Sequence, residues 1–192
     1  ELFLRWTQFS AFTPVVQIHM ISNLGPWDFD QETLEIFRRY AKLRIQLFPY
    51  LYEAVLESNR NGMPVVRPMA LAFQDDELAR KEIYQFMFGS DILVAPIYQS
   101  GTHRSVYLPD GIWFDFWNGE KYDGEQTFEI HAPLDKIPMF VKAGAIIPML
   151  PDDIGTLIPR HKKMSPEIKA IDDDLTRILE IWPGGERRSE NV

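Results

Sequence analysis

Tyr107-Leu-Pro-Asp-Gly-Ile-Trp-Phe-Asp-Phe-Trp-Asn-Gly119 contains one strand between two turn signals. Pro109-Asp-Gly111 favours a turn because proline presets φ, aspartate can hydrogen-bond nearby backbone, and glycine accepts a positive φ. Asn118-Gly119 is a strong short signal for a hairpin, in which both residues would take a positive φ. Along Ile112 to Trp117, the side chains alternate between two faces of the strand, and we interpret the aromatic ones as sandwich core.

Further short apolar stretches with turn residues between them surround this strand. They are Pro64 to Leu71, Asp91 to Ile97, His103 to Leu108, Thr127 to His131, Met139 to Lys142, Ala145 to Leu150 and Ile178 to Trp182. Strands of this length and spacing predict an antiparallel β-sandwich. Pro151 to Asp174 is polar and mixed in charge, which is typical of a linker or a poorly packed segment.

The first 72 residues instead show helical periodicity. A first helix is predicted to end at Pro14, and its apolar positions are Leu2, Trp6 and Phe9. A longer stripe from Gln31 to Asn61 follows Asp30, a good N-cap. Pro49 lies inside this stripe, where it removes a backbone donor, so we expect a kink or two helices. A short charged helix is predicted from Asp75 to Tyr84.

A single strand-like segment, Pro14 to Met20, lies between the predicted helices. Alternation places Gln17 and His19 on one face, while the opposite face is entirely apolar. A histidine at the end of such a strand could face a ligand pocket at the mouth of a barrel. A half-buried histidine that hydrogen-bonds a neighbouring loop explains the same pattern.

The composition excludes several kinds of site. The 192 residues carry 20 Lys and Arg against 28 Asp and Glu, a net charge of −8, whereas a nucleic-acid surface needs basic residues. There is no cysteine, which excludes disulfides, thiolate zinc sites and thiol nucleophiles. No apolar run approaches the roughly 18 residues of a membrane span, and His103, His131 and His161 lack metal-ligand spacing. We expect no nucleic acid, membrane, metal or cofactor as a partner and a cytoplasmic location, and leave a homo-oligomer open.

Six segments carry a family resemblance. They are Glu1 to Phe12, Arg44 to Tyr52, Gly62 to Pro68, Phe86 to Pro96, Tyr107 to Gly119 and Ile137 to Pro148. Together, and in this order, they resemble glycoside hydrolase family 31, the α-glucosidase and α-xylosidase family. The match covers Glu1 to Met149, and six motifs in register are far more specific than any one of them.

The resemblance implies a fold of two classes, α/β followed by all-β. Residues 1–72 would be the end of a (β/α)₈ TIM barrel, with Pro14 to Met20 as its eighth strand. Residues 73–150 would be the proximal C-terminal β-sandwich of the family. A linker over 151–175 and the truncated start of a distal β-domain over 176–192 would follow, so we expect a piece of a longer protein.

An activity is implied as well. Family members hydrolyse terminal α-linked sugars with retention, so the expected function is the C-terminal portion of a retaining, exo-acting α-glycosidase that releases glucose or xylose from oligosaccharides. The two catalytic aspartates of the family belong to motifs upstream of Glu1. We therefore expect no catalytic residue in this chain, an inactive fragment, and the upstream part of the same polypeptide as its partner. Asp75-Asp76 and Asp172-Asp-Asp174 are better explained as solvated carboxylates than as an opposed catalytic pair.

One pocket residue of the family maps onto this sequence. The histidine that ends the eighth strand, and contacts the sugar at the cleavage subsite, corresponds to His19. The family often has arginine two positions earlier, where this chain has Gln17 and therefore lacks a fixed charge. Two alternatives remain open: an α-glucosyltransferase or lyase on the same fold, and a non-catalytic carbohydrate-binding β-module built on the tryptophan-rich strand.

Overall fold

The structure, a computed structural model, describes residues 1–17 and 24–184. Its helices are α1 (Leu2–Ser10), α2 (Gln31–Gln46), α3 (Phe48–Asn61) and α4 (Met69–Ala72). Its strands are β1 (Val66–Pro68), β2 (Phe86–Phe88), β3 (Ile92–Val94), β4 (His103–Leu108), β5 (Ile112–Asp115), β6 (Lys121–Asp123), β7 (Gln126–His131), β8 (Met139–Lys142), β9 (Ile146–Met149), β10 (Ile154–Thr156), β11 (Lys169–Ala170) and β12 (Ile178–Ile181).

Local signals define the ends of α2 and α3. The Asp30 carboxylate accepts a hydrogen bond of 2.7 Å from the backbone N–H of Thr33, which caps α2. The helical stripe breaks at Leu47 and restarts with Pro49 in the first turn of α3, where its missing N–H has no helical partner to lose. Gly62 ends α3 with φ +79°. The expectation of two helices is confirmed.

The short helix predicted from Asp75 to Tyr84 is wrong. Only Ala79–Lys81 forms one turn of 3₁₀-helix. The Asp76 carboxylate accepts from the backbone N–H groups of Leu78 and Ala79, both at 2.9 Å, which favours a local turn. A single turn does not recover the cost of helix nucleation.

The main sheet has six antiparallel strands in the order β1-β2-β3-β8-β5-β6. A two-stranded sheet, β4 with β7, packs on one of its faces and completes the sandwich. Helices α1 to α3 pack on the other face. The extended stretch predicted from Pro64 to Leu71 is extended only in β1, because α4 follows directly.

Successive residues of the central strands enter two different cores. In β3, Ile92 and Val94 face the helices whereas Leu93 faces β4 and β7. In β8, Phe140 likewise packs on the strand side, and all four side chains are fully buried. A strand covered on both faces reads as a continuous apolar run, which explains why these segments lack polar positions.

The β5–β6 hairpin differs from the predicted two-residue turn. The Asp115 N–H bonds the Glu120 carbonyl at 2.8 Å, so the loop comprises the four residues 116–119. Gly119 has φ +73°, whereas Asn118 is not among the residues with positive φ. The buried Asp115 carboxylate accepts from the Trp117 N–H at 2.7 Å and pairs with Lys136 at 3.0 Å. The Asp115 carboxylate and its ion pair with Lys136 therefore stabilise a four-residue loop in place of a two-residue turn.

One arginine joins α1 to the sandwich. The Arg5 side chain lies almost completely buried, with 7% of the residue exposed. Its guanidinium donates to Gln8 Oε1 at 3.1 Å and to the backbone carbonyls of Gly101 at 3.2 Å, Ala132 at 2.9 Å, Pro133 at 3.2 Å and Lys136 at 2.8 Å. The helix is thereby fixed to two loops at one end of the β4–β7 sheet.

The C-terminal segment contains further short strands. β10 and β11 pair in parallel, and the last strand, β12, pairs antiparallel with β9. Arg160 forms an ion pair with Asp173 between the flanking loops. The domain boundaries at residues 72, 150 and 175 stay predictions. Within residues 1–17 and 24–184, no helix combines the length and the apolar character that crossing a membrane requires.

Candidate functional site

His19, the predicted sugar-binding residue, lies outside the described residues. The described half of its predicted strand, Pro14 to Gln17, is not assigned to a sheet. Val15 is 76% exposed and Val16 is 42% exposed. A barrel strand takes its hydrogen bonds from parallel neighbours, and the β1–β9 and β12 strands described here pair antiparallel. The described residues on either side of residues 18–23 are held by hydrogen bonds at both ends.

Arg44 fixes the first of these ends. From α2, its guanidinium donates to the carbonyls of Ala11 at 2.9 Å, Thr13 at 2.6 Å and Pro14 at 2.9 Å. These carbonyls follow α1, where a helix leaves acceptors without helical partners. Burial lowers the pKa of Arg44, which shows the desolvation cost of holding the cation there. The Thr13 hydroxyl oxygen lies 2.8 Å from the carbonyl oxygens of both Ser10 and Val15 and can donate its single proton to either of them. The chain is thus held where the predicted strand begins.

The second end is fixed by two aspartates. Asp28 Oδ2 accepts from the Gly25 N–H at 2.6 Å, which closes a 3₁₀ turn over Pro26–Asp28. Asp30 caps α2, and the hydrogen bonds from Thr33 lower its pKa. A capping role is therefore sufficient for both carboxylates, as the sequence indicates for Asp30.

Two aromatic rings stand at this second end. Trp27 is 69% exposed and Phe29 is 48% exposed, and Phe29 also stacks on Phe3 with ring centroids 4.9 Å apart. The exposed indole of Trp27 offers an apolar face and an N–H donor to solvent. The sequence analysis does not name Trp27 as a site residue. Its exposure could have been expected, because this tryptophan follows Gly25 and Pro26 in a loop and belongs to no apolar stripe.

Two carboxylates elsewhere in the fold, those of Glu57 and Asp91, have structural partners. A cavity of about 300 Å³ is lined by Tyr50, Glu57 and Asp91 among others. Glu57 pairs with Arg67, and Asp91 accepts from the Ser90 hydroxyl at 2.6 Å. These contacts account for both carboxylates as parts of the fold.

The histidines do not form a metal centre in the described ranges. His103 and His131, which lie far apart in the sequence, are partners across β4 and β7, and their ring centroids are 4.8 Å apart. Residues 1–17 and 24–184 contain no group of three histidine, cysteine or acidic side chains that could hold a metal ion. His161 lies apart on the exposed loop between β10 and β11.

The tryptophan-rich strand does not present a sugar platform. Trp113 is fully buried and donates to the Pro109 carbonyl at 2.8 Å. Trp117 donates to the Ile137 carbonyl at 2.7 Å, and the Arg39 guanidinium lies 4.7 Å from its ring centre. These geometries support the interpretation of the aromatic run as core and remove the basis for a binding module built on it.

The fold has the arrangement that two family models describe. The model of the glycosyl hydrolases family 31 TIM-barrel domain matches residues 1–54, and that of the glycosyl hydrolase family 31 C-terminal domain matches residues 62–147. The chain belongs to glycoside hydrolase family 31. Its end-of-barrel and sandwich segments therefore follow each other as the family resemblance implies.

Relatives within family 31 differ in specificity. An α-xylosidase of Saccharolobus solfataricus is 37% identical over 158 residues, 81% of this chain and 22% of that protein. Alpha-glucosidase 2 of Bacillus thermoamyloliquefaciens is 37% identical over 183 residues, 93% of this chain and 23% of that protein. A family 31 dextranase of Flavobacterium johnsoniae, solved with glucose, superposes with a TM-score of 0.81 at 37% identity over 96% of this chain and 22% of its own. The chain thus spans about a fifth of these relatives.

Proposed function

We propose that this chain is the C-terminal portion of a retaining, exo-acting α-glycosidase that releases terminal α-linked glucose or xylose from oligosaccharides. The observation that carries the proposal is the consecutive match of the family's barrel and C-terminal domains to one chain. The names of the α-xylosidase and α-glucosidase relatives support both sugars. Residues 1–72 would complete the catalytic barrel, 73–150 would form the proximal sandwich, 151–175 a linker, and 176–192 the start of a distal domain.

The complete enzyme would work by double displacement. One carboxylate attacks the anomeric carbon while a second protonates the leaving oxygen, and water then releases the sugar with the original configuration. Both carboxylates would come from the polypeptide that precedes Glu1. In this chain, a cap or an ion pair accounts for four carboxylates, those of Asp28, Asp30, Glu57 and Asp115. Their structural roles are consistent with catalytic carboxylates that lie upstream.

His19 is proposed to bind the sugar at the cleavage subsite. Arg44 binds the carbonyls of Ala11, Thr13 and Pro14, which precede His19, and Asp30 caps α2 after it. The chain is therefore held on both sides of the proposed site. A hydrogen bond to a sugar hydroxyl that strengthens in the transition state would raise the rate of the chemical step. His19→Ala in the complete enzyme should lower kcat/KM about 10²-fold. His161→Ala, at an exposed histidine, is the matched control, and equal kinetics for both variants would leave His19 without this role.

The experiment that tests the activity uses the complete polypeptide and this chain in parallel. Aryl α-glucoside and aryl α-xyloside are offered to both, and the anomer released first is identified by NMR. The complete polypeptide should turn over at least one substrate with retention, whereas residues 1–192 alone should show no turnover. Inversion, or turnover by the isolated chain, would contradict the proposal.

A glucosyltransferase on the same fold is the second candidate. It differs from a hydrolase in what accepts the sugar, so added acceptor oligosaccharide decides between them. Product analysis should show free monosaccharide as the main product. Predominant transfer to the acceptor at low concentration would assign the transferase activity instead.

A further inference from the structure

His103 and His131 form a cross-strand pair at one end of the β4–β7 sheet. Their spacing in the sequence indicates no metal site, but the register of the two strands places them directly opposite each other. The adjacent pair is hydrogen-bonded, since the Ala132 N–H donates to the Thr102 carbonyl at 2.6 Å. Hydrogen-bonded and non-hydrogen-bonded pairs alternate along an antiparallel ladder. The two histidines therefore form a non-hydrogen-bonded pair, the kind in which opposite side chains approach most closely.

Both histidines lie on the exposed face of this sheet. In β4, His103 and Ser105 are exposed. In β7, His131 and Glu129 are exposed, whereas Ile130 between them is buried in the sandwich core. The pair is therefore not part of the core, and a ligand from solvent can reach both imidazole rings.

The distance between the two rings fits a shared metal ion. With a metal–nitrogen bond of about 2.0–2.1 Å, each imidazole centre lies about 3.2 Å from the ion, and ligand angles of about 90° to 109° then place two ring centres about 4.5–5.2 Å apart. The ring centroids of His103 and His131 are 4.8 Å apart, within this range. Their planes are inclined by 45°, so the rings do not form a parallel stack.

A hydroxyl next to the pair can orient one of the rings. Thr102 Oγ1 lies 3.3 Å from Nδ1 of His103. A metal ion on Nε2 would leave the ring proton on Nδ1, where the Thr102 hydroxyl oxygen can accept it. Histidines that bind metals almost always donate their second ring nitrogen to such a partner, which fixes the tautomer and the ring orientation.

A cavity of about 260 Å³ beside His103 leaves room for further ligands of the ion. Its lining includes His103, Ser105 and Glu129. Since a water molecule takes up about 30 Å³ in the liquid, several waters of a hydrated ion fit there. The Glu129 carboxylate adds a negative charge that favours a cation. Arg104 also lines this cavity, but a backbone carbonyl accepts from its guanidinium, which lies over an aromatic ring.

We infer that His103 and His131 bind one divalent transition-metal ion of the class that prefers imidazole, Zn²⁺, Ni²⁺ or Cu²⁺, and that this ion joins β4 to β7. Two side chains are fewer than the group of three expected of a metal centre, so the ion is exchangeable and keeps water at its other positions. The carbonyls of Gly101 and Ala132, which hold Arg5, lie within two residues of the pair. The ion therefore also stabilises the loops to which α1 is attached. This inference does not rest on the proposed glycosidase activity.

Equilibrium dialysis against ZnCl₂ tests the site in the complete polypeptide, made without a histidine tag and freed of metal with EDTA. His103→Asn and His131→Asn each remove one ligand at an exposed position. His161→Asn is the matched control, because His161 lies on the exposed loop between β10 and β11. MgCl₂ is the control ion, since Mg²⁺ prefers oxygen ligands.

Each of the two ligand variants should bind Zn²⁺ at this site at least about tenfold more weakly than the wild type, because loss of an outer partner alone costs about 10–100-fold. The control variant should bind as the wild type does, and Mg²⁺ should not compete. Equal Zn²⁺ affinity in the wild type and both ligand variants would overturn the inference. An equal loss in His161→Asn would also overturn it, because binding would then not depend on the pair.

Hydrogen exchange of the wild-type protein tests whether the ion joins the strands. At a free Zn²⁺ concentration of about ten times the dissociation constant, openings that separate β4 from β7 should become about 11-fold rarer. Amides of residues 103–108 and 126–131 that exchange through such openings should slow by the same factor, and those of β10 and β11 should not. Unchanged exchange in β4 and β7 at saturating Zn²⁺ would refute the cross-link. Neither measurement needs turnover, so failure here is distinguishable from failure of the proposed activity.

Discussion

Replacement of Arg5 by methionine tests how α1 is attached to the sandwich. Methionine keeps the length and the apolar stem of the side chain but removes the guanidinium. Four backbone carbonyls, from residues 101, 132, 133 and 136, would each lose a charged donor. Since a hydrogen bond to a charged group contributes about 1.5–3 kcal/mol, simple addition gives about 6–12 kcal/mol.

The net loss is smaller, because the buried cation also carries a cost. Burial lowers the pKa of Arg5, and its Nε atom has no hydrogen-bond partner within residues 1–17 and 24–184. Each carbonyl left without a donor costs about 1–3 kcal/mol, and loss of the buried cation removes its desolvation cost. We therefore expect Arg5→Met to lose about 3–5 kcal/mol, near the lower end of this range. Arg5→Lys retains the charge without the planar fork, so it should lose about half as much.

The measurement is equilibrium unfolding in urea, followed by amide hydrogen exchange. Arg38→Met is the matched control, since Arg38 is an exposed arginine on α2 with no side-chain hydrogen bond among the described residues. Arg5→Met should lower the midpoint strongly, and the α1 amides should lose more protection than those of β8. A midpoint for Arg5→Met equal to that of Arg38→Met would refute the reasoning.

Three further changes probe separate contacts. Arg44→Ala should lower the free energy of unfolding by about 2 kcal/mol through loss of its carbonyl partners, and Arg44→Lys should restore part of it in the same urea titration. Burial raises the pKa of Tyr40 above its ordinary value of 10. Its contribution to the free energy of unfolding should therefore be complete below about pH 10 and fall as the pH rises further. Tyr40→Phe should reduce this loss of stability at alkaline pH, whereas Tyr52→Phe, at an exposed tyrosine, should leave it unchanged. Gly119→Val should cost more than about 1 kcal/mol because φ is +73°, whereas Asn118→Val should cost less, and equal thermal midpoints for these two variants would contradict the hairpin geometry.

Local rules predict those features of the fold that one or two residues decide. Asp30 caps α2, Pro49 divides the helical stripe and Gly62 ends α3, as each residue type requires. The hairpin prediction fails because Asp115, which is buried by long-range packing, reorganises the loop through its carboxylate. Its partner Lys136 lies 21 residues away, beyond any turn rule.

In the candidate site, too, local sequence rules predict some features, whereas long-range contacts decide the others. His19 emerges only from the family resemblance and stays a prediction, since its residue type and position also fit a structural role. Arg5 and Arg44 determine how the surrounding chain is held, yet their partners are up to 131 and 33 residues away in sequence. Such contacts between side chain and distant backbone leave no periodic trace in a single sequence.

The position of β8 in the six-stranded sheet has a consequence for biosynthesis. Strands β1 to β3 and the β5–β6 hairpin can each form from nearby residues, but β8 pairs with β3 on one side and with β5 on the other. Until Met139–Lys142 has emerged from the ribosome, a nascent chain therefore exposes the edges of β3 and β5, which the folded sheet covers. Open edges of this kind recruit other chains, and long-range pairing is slow to form. Translational pausing or truncation shortly before Met139 should thus be the point at which this polypeptide depends most on chaperones.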